Sequence, residues 1–557
     1  MNTPPFPAAP PPGYANLTFE ETMALIAARP ARSDPIPAEV EVAIIGAGPA
    51  GLTAALLLAH YGVRTTIFER NATTSELPKA IVVDDEYMRL LDRLGLSSAL
   101  QGHTSAPFGV HFMSPFGFAL AKVPGFVTAN GFGIRNAVSQ PIFERILLQG
   151  LATKDNISLH FSARVTDLDQ GADRARIFLD TGTGTSQIVQ AKYVLACDGA
   201  RSFVRQHLNI PFLGSDLDQP HLVVDLAEFA DQATHSRFIC NPRRPLNSVL
   251  GPYGGRRLEF SLWPGDNHDE LKSDAGIRRL VDLHTPYRGF ELKIIRRAIY
   301  GLAARMAERL QEKRVFLLGD AAHIMPPFGA QGMNTGARDA ANLAWKLAHV
   351  LRDKAPASLL DTYDPERRSQ IRAIIDYSMR VGKVANIRSW PMAMLRDLFF
   401  ATANLFPGVR NYFSQMRYMP KPFMAEGVKV ADNELRQQLA GRVMPRWDLV
   451  DAAGKPGTID DFSDLGWLLI GVDVDKEKMQ EALAHAPWPT LEASTLAIST
   501  SRSEAFDAAL ASDRARDVYD RMRGRVIVLR PDNIVAGHYP QQHFADLSTK
   551  IKDLLKT

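Results

Sequence analysis

Apolar residues in this chain recur with different periods in successive stretches, and each period predicts a different element. Near the N-terminus, "AIIGAGPAGLTAALLLAHYG" over residues 43–62 is about as long and apolar as a membrane span, for which roughly twenty such residues suffice. Gly46, Gly48, Pro49 and Gly51 interrupt its first half, and such punctuation divides one run into two elements. Val40, Val42, Ile44 and Ile45 read as a buried strand, the glycines as a tight turn, and residues 50–61 as a helix ended by Gly62. "VRTTIFER" follows as a second strand closing with Glu69 and Arg70. The pattern predicts βαβ, and βαβ patterning dominates residues 39–210.

Between 211 and 300 the pattern changes. "PHLVVDL" and "RRLEFSLW" are strand-like without intervening long helices, which predicts an inserted, largely antiparallel sheet. An α/β pattern returns at "RVFLLGDAAHIMPPFGAQGMNTGARDAANLAWKLAHVL": residues 315–318 form a buried strand, and Ala340, Ala344, Leu347, Ala348 and Leu351 share one helix face. A helical segment covers 356–430, and a last module over 431–557 carries strands at "GWLLIGVDV", "STLAIST" and "RVIVLR". Residues 1–38 read as a proline-rich surface arm. The expected fold is α/β: a Rossmann-like domain over 39–210 and 301–355, interrupted by the sheet of 211–300 and followed by the helical segment and the C-terminal module.

Composition narrows the function classes. A chain of 557 residues exceeds a single core. Its formal charge of +3 is small, and its arginine pairs (243–244, 256–257, 278–279, 296–297, 367–368) are scattered, so no nucleic-acid partner is expected. The N-terminus lacks the pattern of a secretory signal, and with the apolar run explained no membrane segment remains. Cys197 and Cys240 are the only cysteines; they match no disulfide or metal-ligand spacing and are expected as free thiols in a cytoplasmic protein. No metal site is expected.

The βαβ glycines have separate physical tasks. Gly46 permits the turn, Gly48 lets a pyrophosphate approach the backbone at the helix N-terminus beside Pro49 and Ala50, and Gly51 packs the helix on the strands. Glu69, eighteen residues beyond Gly51 at the second strand's end, is placed to accept hydrogen bonds from a ribose diol. "AKYVLACDGARSFVRQHL" is a strand running into Asp198 and Gly199, with Arg201, Ser202 and Arg205 at a helix start; alone it reads as an ordinary turn capped by Ser202. The strand at 315–318 delivers Asp320 to its carboxyl end, where open α/β sheets bind ligands. The loop with Pro326, Pro327, Gly329 and Gly332 leads to a helix N-terminus around residues 333–336, whose free N–H groups would stabilise negative charge on a reduced flavin.

"GAGPAG", "CDGARSFVR" and "GDAAHIMPPFGAQGMNTGARDAANLAWKL", in this order and separation, resemble the class A flavoprotein aromatic monooxygenases. "QPIFERILL", "ICNPRRP", "LLDTYDPERR" and "GVRNYFSQMRYMP" are similar to the 3-(3-hydroxyphenyl)propionate hydroxylase branch. The resemblance covers about residues 39–557 and implies FAD as cofactor, NADH or NADPH as cosubstrate, and O₂ with a small aromatic substrate. It implies a flavin C4a-hydroperoxide that hydroxylates a phenolic or resorcinol-type ring. Carried over by motif, Gly46, Gly48, Pro49, Ala50 and Gly51 hold the pyrophosphate, Glu69 and Arg70 lie at the adenosine ribose, and Gln140 lies at the ribityl or phosphate region. Asp320 holds the ribityl chain, Met333 and Asn334 face the ring, and Val165, Asp198, Pro327 and Gly332 complete the set. The C-terminal module is implied to be thioredoxin-like, without cysteines and hence without redox activity. A homo-oligomer is left open.

This sequence departs from the family at "PKAIVVDDE". Lys79 stands where an arginine is usual and loses the planar fork, and Ile81 occupies the position that in some relatives carries the phenol base. Asp84 and His323 are therefore the candidate catalytic residues, each weighed against a structural role: Asp84, like Asp85, as a helix N-terminal acid, and His323 as a buried hydrogen-bonded histidine. Arg244 or Arg257 is a candidate for a substrate carboxylate, against an ordinary salt bridge on the sheet. Two alternatives keep the fold: a flavin reductase or dehydrogenase without oxygen insertion, and a non-catalytic nucleotide-binding scaffold.

Overall fold

The computed structural model describes residues 35–75, 79–182, 186–431 and 439–555. The proline-rich arm lies outside them except for its last four residues. The first domain is built on five parallel strands in the spatial order Val315–Leu317, Ser186–Ala196, Glu39–Ile45, Thr65–Phe68 and Ile157–His160. Strand Glu39–Ile45 is buried from Val40 onward, as a central parallel strand covered on both faces must be. Helix Pro49–His60 is buried continuously from Gly51 to Ala59 because it lies between this sheet and the helices Gln140–Ala152 and Gly332–Leu351. A helix apolar all round is thus a core helix.

A second, eight-stranded sheet forms the floor beside this domain. Its order is His323–Ile324, Lys293–Ala307, Phe212–Ala227, Arg256–Ser261, Leu246–Leu250, His235–Ile239, Gly109–Met113 and Ala119–Val123. Pairing is antiparallel except where His235–Ile239 runs parallel to Gly109–Met113. The insert is therefore largely antiparallel as expected, but the sheet also takes strands from chain positions well before 211 and after 300. A local alternation predicts a strand and not its neighbour, so these recruits were invisible in the sequence.

The C-terminal module contains a seven-stranded sheet. At its centre Leu468–Val472 pairs parallel to Ser494–Ser499 on one side and antiparallel to Arg525–Leu529 on the other, and Val535–Pro540 extends the sheet. Helices Lys476–Ala484 and Phe544–Leu555 pack on it, giving the thioredoxin-like arrangement; neither cysteine belongs to it. The module shares a core with the first domain, where Trp345 meets Trp467 edge to face at 5.5 Å. Arg89 also reaches across, donating to both carboxylate oxygens of Asp460 at 2.8 and 2.6 Å. Among the described residues, no helix is long and apolar enough to cross a membrane.

Candidate active site

The turn after the first strand has the geometry its glycines require. Gly46 is held at φ +105°, and a Cβ on Gly51 would stand 2.1 Å from the Gly46 carbonyl oxygen. A Cβ on Gly48, by contrast, would meet no atom within 4 Å, because the backbone there faces a cavity of about 810 Å³. Its wall includes Gly46, Gly48, Pro49 and Ala50, the strand end Glu69–Arg70, and Lys79, Gln140, Val165 and Asp198. From the far side come Asp320, Pro327, Gly332 and Met333. Segments remote in sequence thus converge on one chamber, which continues between the apolar side chains of Phe108, Val110, Phe112, Phe238 and Val249.

Most polar groups of the wall are already fixed. Glu69 accepts from the Ala47 amide at 2.9 Å, which ties the second strand to the glycine turn. Gln140 accepts from the Ala80 amide at 2.6 Å and donates to Glu144 at 2.8 Å, so it sets the path of the chain at Lys79–Ile81. Burial pushes the Glu144 carboxyl up to about 7. Asp198 accepts from the Val204 amide at 3.1 Å, while its other oxygen is buried without a hydrogen-bond partner. Asp320 is exposed to the cavity deep inside the protein; burial raises its pKa, against the opposing charges of His323 and Lys79.

Both expected catalytic residues lie elsewhere. Asp84 is absent from the cavity wall and is 4% exposed. It caps helix Asp85–Arg93 by accepting from the Tyr87 amide at 3.0 Å, and it pairs with Arg338. Asn334, expected to face the ring, is instead buried; it accepts from the Asp84 amide at 3.0 Å and donates to the Ala330 carbonyl at 2.9 Å. Together they bolt helix Gly332–Leu351 to the Val82–Val83 strand. Asp85 accepts from Thr128 and Asn130 at 2.6 and 2.7 Å, and burial with the charges of Asp84 and Glu86 pushes it up to about 7.

His323 is also buried, its Nε2 lying 2.7 Å from Asp339, whose same oxygen accepts from the Gly319 amide at 3.0 Å. Arg367 donates to the other Asp339 oxygen at 2.8 Å. Burial alone would raise Asp339, but His323 and Arg367 outweigh it and hold the carboxyl low. This cluster positions the strand end that carries Asp320. Gly51 lies outside the wall as well, consistent with its packing task.

Of the two candidate arginines, Arg244 pairs with Asp266 away from the cavity. Arg257 lines it, but donates to Asp225 at 2.6 Å and to the Lys79 carbonyl at 2.7 Å. Sequence reasoning missed several further wall residues, among them Arg135, Tyr377 and Tyr418. They come from a loop, a long helix and the segment after a short helix, and no shared motif marks them, although Tyr418 lies in the "GVRNYFSQMRYMP" stretch.

Comparison with known proteins agrees with this architecture. Residues 39–378 match the family model of the FAD binding domain, and residues 441–554 match the HcaD C-terminal domain. The chain is 33% identical over 507 residues to a 3-(3-hydroxy-phenyl)propionate/3-hydroxycinnamic acid hydroxylase of Escherichia coli O81 (strain ED1a), covering 89% of this chain and 91% of the relative. It is 32% identical over 526 residues to a protein of the same name from Shigella sonnei (strain Ss046), covering 93% and 95%. Among solved structures, the flavin-dependent monooxygenase PieE, in complex with FAD and substrate, superposes with TM-score 0.78 at 21% identity, covering 94% of this chain and all of that one (100%). Aklavinone-11 hydroxylase, with FAD and aklavinone, gives 0.75 at 22% identity over 94% and 100%.

Proposed function

This chain belongs to the FAD-dependent aromatic monooxygenases, and from that premise we propose that it hydroxylates a small meta-substituted phenol with NADH or NADPH as reductant. The observation that carries this reading is the continuity of the cavity from the glycine turn, past Asp320 and the start of helix Gly332–Leu351, to the apolar chamber. A long dinucleotide and a ring-sized substrate are accommodated in one enclosure.

The residues present fit FAD. The open backbone face at Gly48 suits a pyrophosphate, Glu69 suits a ribose diol, and Asp320 suits the ribityl hydroxyls. The start of helix Gly332–Leu351, which lines the cavity at Gly332 and Met333, suits the electron-rich edge of the ring. When bound, FAD supplies the electron and oxygen transfer. The chain contributes position and dryness: Phe108, Val110, Phe112 and Phe238 exclude water from the substrate side. Asp84 and His323 act as positioning residues that hold the helix start and the Asp320 strand end. Cys197 and Cys240 are free thiols; burial raises both and pushes Cys240 up to about 12, which supports the reading that they take no redox part in a reducing, cytoplasmic setting.

The test is turnover under ¹⁸O₂ with 3-(3-hydroxyphenyl)propionate and NADH or NADPH. One labelled oxygen in the product is expected; reduced pyridine nucleotide consumption without label would support the reductase reading, and a colourless protein without turnover the scaffold. Asp320→Ala is expected to lower FAD affinity by about tenfold or more, the loss of a charged acceptor from a buried site, with an unchanged far-UV spectrum. Wild-type flavin occupancy in that variant would remove Asp320 from the assignment.

A further inference from the structure

The cavity wall contains a cation that the cofactor assignment does not use. Arg135 Nη1 is buried with no hydrogen-bond partner, and Nη2 donates to the sulfur of Met416 at 2.8 Å. Orphaned guanidinium donors are rare and costly in a protein interior. Arg257, which also lines the cavity, is neutralised by Asp225 at 2.6 Å with Glu259 nearby at 4.0 Å. The acid that acts on Arg135 through charge is Asp85, whose carboxylate is already engaged by Thr128 and Asn130.

Two tyrosines complete the corner. Tyr377 and Tyr418 pack ring to ring with centroids 6.0 Å apart, and burial raises both, so their hydroxyls stay protonated at neutral pH despite the nearby Arg135. A guanidinium has donors and no acceptor, and a phenol hydroxyl adds one more donor. The corner is also placed for the reaction. Tyr377 packs against Gly329, where a Cβ would stand 2.7 Å from its ring, in the loop that leads into Gly332 and Met333. Arg135 adjoins the Asn136–Ala137 strand, which pairs with Val82–Val83 directly after Ile81. Phe108, Val110, Phe112 and Phe238 supply the apolar surface beside it.

Resting on the hydroxylase reading above, we infer that Arg135, with Tyr377 and Tyr418, is an anion subsite that holds the carboxylate of an acidic phenol. The ring then lies against the apolar wall while the acid end is anchored, so the enzyme selects aromatic acids over neutral phenols of the same shape. An arginine can engage both carboxylate oxygens, a geometry that a lysine cannot reproduce.

The experiment compares 3-(3-hydroxyphenyl)propionate with its primary amide in the holoenzyme, reading dissociation constants from the flavin absorbance change and kcat/KM from product formation. The wild type is expected to prefer the acid by about 10- to 100-fold, the range for hydrogen bonds to a charged group. Arg135→Met is expected to lose most of that preference through the acid alone, with amide binding kept within about threefold, and Arg135→Lys to fall between. Equal handling of acid and amide by the wild type would overturn the subsite while leaving the hydroxylase reading intact, and this comparison decides even where a variant misfolds. Equal losses for acid and amide in Arg135→Met, with a shifted pH profile, would instead place the arginine at the phenol oxygen and overturn the proposal. Absence of any hydroxylated product from either compound would remove the hydroxylase reading and the subsite with it.

Discussion

Gly48→Ala should fold like the wild type and bind FAD at least about tenfold more weakly, whereas Gly51→Ala should lose both cofactor and stability. The contrast follows from where each new methyl would go. Gly48 has an ordinary φ of −81°, and its Cβ would meet nothing within 4 Å, so the polypeptide accepts alanine without strain. The methyl projects into the space proposed for the pyrophosphate. Gly51 is different: its Cβ would collide with the Gly46 carbonyl oxygen at 2.1 Å and crowd Cys197 at 3.3 Å. Neither segment can readily retreat, because Gly46 and Cys197 directly follow two adjacent parallel strands and their amides donate to the Phe68 and Ile45 carbonyls. The helix must move instead, at about 2 kcal/mol or more for overpacking a tight site. Thermal unfolding and flavin content of the two purified variants separate the effects. Full flavin affinity in Gly48→Ala would falsify the placement of the pyrophosphate.

Arg530→Met carries the largest expected loss of stability. Arg530 is fully buried and donates to both oxygens of Glu366, at 3.0 and 2.9 Å, and to both oxygens of Asp532, at 3.0 and 2.6 Å. Glu366 also accepts from Lys346 at 2.7 Å and from the Val428 amide at 2.8 Å. These residues come from the C-terminal module, the helix Tyr363–Ala385 and the helix Gly332–Leu351, so the cluster clamps the module to the flavin side. A buried pair need not exceed an apolar substitute in stability, but removing one member strands the others; the cost is about 3–5 kcal/mol.

The pH dependence has a definite sign. Burial alone would raise Glu366, but the charges of Arg530 and Lys346 outweigh it and hold the carboxyl well below its usual range. A depressed folded-state pKa stabilises the protein above the unfolded value, about 4.3, and that contribution fades as pH falls toward the folded value. The wild type should therefore lose stability on acidification through this range, and Arg530→Met should be less stable at pH 7 with a shallower acid dependence. Denaturant unfolding at pH 7 and pH 4 measures both quantities. A variant within about 1 kcal/mol of the wild type at pH 7 would show that water replaces the clamp.

The βαβ unit was legible because its information is local. Gly46 is required by a backbone angle, Gly51 by an adjacent carbonyl, and the apolar helix that carries Gly51 by burial on every side; all three are written in one short consecutive stretch, residues 46–60. The position of Asp320 was legible for the same reason, since a short buried strand ending in Gly-Asp places its acid at the carboxyl edge of a parallel sheet. The C-terminal strands were legible as continuous apolar runs.

What the tertiary structure alone decided is which polar groups meet which partners. Asp84, His323 and Asn334 stand in segments that border the cavity, yet Arg338, Asp339 and the Val82–Asp84 backbone turn each of them into the scaffold. Along the chain Arg257 stands out as an anion candidate and Arg135 does not. Asp225, thirty-two residues from Arg257 in sequence, neutralises it across neighbouring strands, whereas Arg135 meets two tyrosines more than two hundred residues away and a methionine sulfur. A side chain's charge is encoded at its own position, but whether that charge is balanced depends on long-range pairing that periodicity and spacing do not specify. The glycine turn and the strand-end acids could therefore be read from the sequence by itself, and the unbalanced arginine of the proposed substrate corner only from the fold.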